Sequence, residues 1–75
     1  MTPAALPRGL SGADIARALK RGGFEFVSSR GSHHKYRDGT GHTVIVPQHR
    51  EVAPGTLRSI LRQAGWDTDT LTTYL

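Results

Sequence analysis

Between Ile15 and Ala64 the apolar residues change their spacing twice, and this limits what the chain can become. Ile15, Ala16 and Leu19 keep helical spacing, whereas Phe24 and Phe26 alternate with polar neighbours, as do the residues from Ser32 to Arg37. Leu57, Ile60, Leu61 and Ala64 then return to helical spacing. A helix, a set of short strands and a second helix follow from these periods. Ser11 is placed to cap the first helix, with Asp14 near its positive end, Leu10 able to staple against Ile15, and Gly22-Gly23 closing it. A first strand is expected from Phe24 to about Ser29, with Phe24 and Phe26 on the core side, and Arg30-Gly31 offers a turn. A second strand spans Ser32 to Arg37. Asp38-Gly39-Thr40-Gly41 is a hairpin signal, and His42 to Val46 forms a third strand stopped by Pro47.

After a polar connection from Gln48 to Val52, Pro54-Gly55-Thr56 opens the second helix and Gly65 ends it. Asp67 can cap a last short helix that returns Leu71, Tyr74 and Leu75 to the body. The expected fold is a small α+β sandwich of order α-β-β-β-α(-α), a three-stranded antiparallel sheet with helices on one face and solvent on the other. Residues 10–75 form its single domain, and residues 1–9, with Pro3 and Pro7, read as a flexible leader rather than a signal peptide or membrane anchor.

A chain of 75 residues hides only about 60% of the surface its unfolded form exposes, so its core is small. It has no cysteine, which excludes a disulfide framework and a thiolate zinc site, and fits a reducing cytoplasm. Ten Lys and Arg against six Asp and Glu give a net charge of +4, which suits a polyanionic partner.

The segment Gly31-Ser32-His33-His34-Lys35-Tyr36-Arg37 sets two histidines among cations that include Arg30. Histidine moves protons near neutral pH, and Arg and Lys hold phosphate. Neighbours on a strand point to opposite faces, so a Tyr36 in the core takes His34 inward and leaves His33 on the open face with Lys35 and Arg37. The competing readings are a surface His33 without a role and a half-buried, hydrogen-bonded His34. A metal site is disfavoured by spacing, since adjacent histidines on a strand cannot close on one ion and no carboxylate cluster completes a shell. Arg58 and Arg62 lie four apart on the second helix, away from its apolar stripe, and can form a basic ridge or simply a solvated face.

Three stretches together, Gly31-Ser32-His33-His34-Lys35-Tyr36, Val44-Ile45-Val46-Pro47 followed by a loop with His49, and Pro54-Gly55-Thr56-Leu57-Arg58-Ser59-Ile60-Leu61-Arg62-Gln63-Ala64-Gly65, resemble the HicA family of bacterial toxins. The likeness runs from about Ile15 to Gly65. It implies a fold like a double-stranded RNA-binding domain and an endoribonuclease that cuts messenger RNA and halts growth until a HicB-type antitoxin covers it. It implies a catalytic histidine at His33, with His34 as the alternative, and no cofactor or metal. Arg30, Ser32, Lys35, Arg37, Arg58 and Arg62 are the expected RNA contacts, and His42 and His49 are candidates for a second proton-transfer group. The oligomeric state would then be set by the antitoxin complex. A non-catalytic RNA-binding module using the same basic face is the alternative function, and a protein-interaction module is a third.

Overall fold

A computed structural model describes residues 5–75; residues 1–4, which belong to the expected leader, lie outside the described residues. The elements are α1 (Gly12–Arg21), β1 (Glu25–Arg30), β2 (His33–Arg37), β3 (Thr43–Pro47), α2 (Pro54–Ala64) and α3 (Thr68–Tyr74). The strands form one antiparallel sheet in the order β1-β2-β3. This is the α+β sandwich with an α-β-β-β-α-α order that the alternating periods predict.

Local chemistry accounts for the element ends. The Ser11 hydroxyl accepts from the Asp14 amide and the Asp14 carboxylate accepts from the Ser11 amide, a reciprocal cap worth about 1 kcal/mol. Gly65 closes α2 in the left-handed conformation (φ 70°, ψ 26°), and the Asp67 carboxylate caps α3 through the Thr70 amide at 2.8 Å. Helix α1 ends at the expected Gly22-Gly23 pair. Its cap Gly22 has an ordinary φ of −86°, and the positive φ falls on Gly23. Gly22 is instead required by packing, since a Cβ there would stand 2.3 Å from the Trp66 ring.

Both α1 and α2 lie on the same face of the sheet, α1 against β1 and β3, α2 against β3. Between the layers sit Ile15, Leu19, Leu57, Ile60, Leu71, Val44 and Val46, all with 1% exposure or less, together with Tyr36 and Phe24. Full burial of each large aliphatic side chain contributes about 1.5–3 kcal/mol. Three expectations fail at the margin of this core. Phe24 is buried but precedes β1 rather than opening it, Phe26 is 49% exposed, and Leu75 is 42% exposed rather than folded back. Phe26 lies on the strand at the outer side of the sheet, and there its ring packs edge-on against Tyr36 and His34.

The register explains how the open face is furnished. Phe26 pairs with Tyr36, but the next pairing is Ser28 with Lys35, so Val27 is an extra, bulged residue. Strict alternation from an inward Phe26 would turn Arg30 toward the helices. The bulge shifts the count by one, so that Ser28 stands beside Lys35 and Arg30 beside His33 on the side away from the helices. Among the described residues, no helix is long and apolar enough to cross a membrane.

Candidate functional site

Arg30 and His33 face each other across a two-residue turn, Gly31-Ser32, in which Gly31 has the positive φ (58°) that a tight hairpin demands. One row further along the sheet, Ser28, Lys35 and Ile45 lie side by side. These two rows frame an open depression of about 570 Å³ lined by Ser28, Ser29, Arg30, His33, Lys35 and Ile45. Its volume falls within the range of small-molecule sites and suits a nucleotide unit. Two cations, one imidazole and two serines line it, and no carboxylate does. A smaller hollow near Pro7 and Val52, about 300 Å³, has Glu51 in its wall and no histidine.

His33 is exposed, and Lys35 is half-buried with its stem on the sheet surface. Among the described residues the ion pairs are Arg17 with Asp14 and His42 with Asp38, so Arg30, His33 and Lys35 have no acidic partner. The site is therefore uncompensated positive charge around an imidazole.

The sequence-predicted residues do not all gather here. Ser32 lies in the turn itself, not in β2, and its carbonyl accepts from the Gln48 amide at 2.6 Å. His34 points to the helix side, half-buried and edge-on to Phe26 (centroids 5.5 Å apart), so its surroundings are aromatic. The hydrogen bond expected for it is not among those of the described residues. Arg37 stands one row beyond Lys35, about 13 Å along the strand from His33, with its Nε 3.4 Å from the Thr43 hydroxyl. Arg58 and Arg62 are exposed on α2 in a groove with Leu6, Leu61 and Trp66, on the helix layer rather than on the open sheet face.

The other two histidines also separate. His42 lies in the loop before β3, not within that strand, at the end of the sheet remote from His33. Its Nδ1 is 2.9 Å from the Asp38 carboxylate and its amide donates to the same group at 2.8 Å. Burial raises the Asp38 carboxyl, but hydrogen bonds from His42 and Thr40 outweigh it and hold the group at about 2. His42 is thus a strut of the hairpin and cannot reach the depression. His49 follows β3 at the His33 end, where its carbonyl accepts from the Gly12 amide at 2.9 Å. Gly12 is itself obligatory there, because a Cβ would lie 2.2 Å from the Pro47 carbonyl oxygen.

Sequence reasoning missed Ser28, Ser29 and Ile45 as walls of the depression. Ile45 was accessible in principle, being the central residue of a Val-Ile-Val strand and therefore opposite in facing to its neighbours. Ser28 was not, because its outward facing depends on the bulge, and neither was Ser29, which pairs with the helix-side His34 and still borders the depression.

No curated protein matches the chain. The family model for the HicA toxin of bacterial toxin-antitoxin systems matches residues 12–66, from the first residue of α1 to just beyond the Gly65 cap. That match includes the whole sheet, both principal helices and every residue of the depression, and the chain belongs to the HicA toxin family.

Proposed function

We propose that this HicA-family toxin is a metal-independent endoribonuclease that cuts messenger RNA in the cytoplasm, with His33 as its catalytic residue. The observation that carries the reading is the acid-free depression in which His33 stands beside Arg30 and Lys35 on the solvent side of the sheet. RNA brings its own nucleophile. A neutral His33 imidazole takes the proton of a 2′-hydroxyl, the 2′-oxygen attacks the adjacent phosphorus, and the bond to the 5′-oxygen breaks. The products are a 2′,3′-cyclic phosphate and a 5′-hydroxyl, the latter receiving its proton from water. Arg30 and Lys35 flank the phosphate and stabilise the charge that grows on its oxygens, and Ser28, beside Lys35, lines the same depression for hydrogen bonding. One general base is worth about 10²–10⁴-fold in rate, which makes a slow nuclease.

Ser32, Arg37, Arg58 and Arg62 extend the RNA contact beyond the reacting phosphate, and the activity is held in check by a HicB-type antitoxin. Arg37 continues the open face along β2, whereas Arg58 and Arg62 would meet RNA only if the strand passes onto the helix layer. His34 is the less suited of the two neighbouring histidines because its ring is packed on the helix side against Phe26.

The test is incubation of purified protein with a defined messenger RNA in EDTA, beside folded His33→Ala and His34→Ala variants. Cleavage by the wild type and by His34→Ala, with loss in His33→Ala, is expected. Loss only in His34→Ala would move the chemistry to the other face. Binding without any shortening of the RNA would make the protein a non-catalytic RNA-binding module.

A further inference from the structure

Two of the three large exposed apolar side chains among the described residues, Phe26 and Val27, are neighbours on β1, at 49% and 46% exposure. They sit on the bulge. With Glu25, Arg37, Asp38, Gly23 and Gly39 they line a further hollow of about 370 Å³. Its chemistry differs from that of the His33 depression, for it contains two carboxylates and an apolar wall. Glu25 and Asp38 make this hollow a weaker seat for a phosphate chain than the acid-free depression, so that RNA would meet Arg37 only at its edge, whereas a polypeptide, with apolar and charged side chains of both signs, can satisfy such a surface. The Asp38 carboxylate is already bound by Thr40 and His42, which leaves the cross-strand neighbours Arg37 and Glu25 as the charges without an ion-pair partner among the described residues.

The position of this hollow on β1 indicates which polypeptide. Ser28, Ser29 and Arg30, which wall the His33 depression, follow directly on the same strand, so a protein seated on Phe26 and Val27 is already at the rim of the active site. The β3 side is closed by comparison, because the Gln63 side chain accepts from the Ile45 amide at 2.9 Å. All six residues of β1 are exposed. The bulge interrupts β1 as a template for strand pairing, so recognition there would be made by side chains.

We propose that Phe26 and Val27 are the anchor on which the antitoxin protein docks, inserting an apolar side chain with an acidic neighbour for Arg37, and that from there it reaches across β1 to cover His33. The inference rests on the toxin reading given above, but the docking itself does not require cleavage. The strand therefore has two functions separated by its bulge. Residues before the bulge hold the partner, and residues after it serve the RNA site.

Affinity for the cognate HicB-type antitoxin is measured in the His33→Ala background, so that the outcome is independent of nuclease activity. Val27→Glu should weaken binding by at least about tenfold, the effect of losing one interface anchor. The uncharged Val27→Ser should weaken it by a smaller factor in the same direction. Leu75→Glu, at the third exposed apolar position (42%), serves as the control and should bind as the parent does. With His33 restored, Val27→Glu should still cut RNA and should resist the antitoxin. Equal affinity in all variants would overturn the proposal, as would an equal loss in Leu75→Glu. Unchanged antitoxin affinity with reduced RNA cleavage would also overturn it, assigning the patch to RNA.

Discussion

The two hairpins of the sheet each carry a histidine, and the structure uses them in opposite ways. At the β2–β3 end, His42 is fixed by a carboxylate that also takes the Thr40 hydroxyl and two backbone amides. At the β1–β2 end, His33 stands in an acid-free depression with Arg30 and Lys35. A histidine committed to an aspartate stiffens a turn, whereas one left among unpaired cations can take a proton from a substrate that those cations hold. Residue type marks a candidate, but the company it keeps decides its work. In this fold that company is set by strand register.

The largest expected effect is the one that would break this contrast outright. His33→Ala should lower RNA cleavage by about 10²–10⁴-fold with unchanged folding, while His42→Ala stays within a fewfold of the wild-type rate, both read as initial rates on one RNA substrate. Equal losses would mean that the two ends do not differ in function. The next effect concerns the cations. Arg30→Ala and Lys35→Ala should each lower the cleavage rate roughly ten- to hundredfold, the value of one hydrogen bond to a charged group. Arg58→Ala should instead weaken RNA binding and reduce the dependence of affinity on salt by about one phosphate contact, leaving the rate at saturating RNA intact.

Smaller effects sharpen the structural half of the contrast. Because the Asp38 carboxyl is held at about 2, below its unfolded value near 3.9, its contribution to stability is present above about pH 4 and lost as pH falls toward 2. Asp38→Asn should therefore have a lower Tm at neutral pH and a flatter acid limb in a Tm-against-pH series. An unchanged acid limb would show that the His42 strut does not stabilise the fold. His34→Ala should cost about 0.5–1.5 kcal/mol through the lost edge contact with Phe26, measured by denaturant unfolding, with cleavage retained.

How much of this could be read in the sequence depends on whether the cause was local. The Ser11 and Asp67 caps, the Gly65 end of α2 and the turns at Gly31 and Gly41 are each decided within a few residues, and they fall where the sequence places them. The inward Tyr36 and outward His33 follow from alternation along a single strand. The bulge at Val27 does not, because an extra residue is defined only by the strand opposite it. For that reason the half-exposed Phe26 and the outward Ser28 of the depression escaped a reading in which β1 alternates regularly. The role of His42 was missed for a related reason. Asp38-Gly39-Thr40-Gly41 is visible as a turn, yet nothing in that spacing says that the carboxylate reaches forward to the next imidazole. Arg37 keeps the facing that alternation gives it but stands toward the far end of the sheet, and Arg58 and Arg62 lie on the helix layer, because helical spacing separates them from the apolar stripe without saying which sheet face the helix covers.

The central claim, that His33 acts as the base toward the 2′-hydroxyl, is tested most directly by mass spectrometry of the RNA ends produced in EDTA by the wild type and by His33→Ala. The wild type should give 2′,3′-cyclic phosphate and 5′-hydroxyl ends, and the variant no such ends above background. Products bearing 5′-phosphate, or cyclic phosphate formed equally well by His33→Ala, would contradict it.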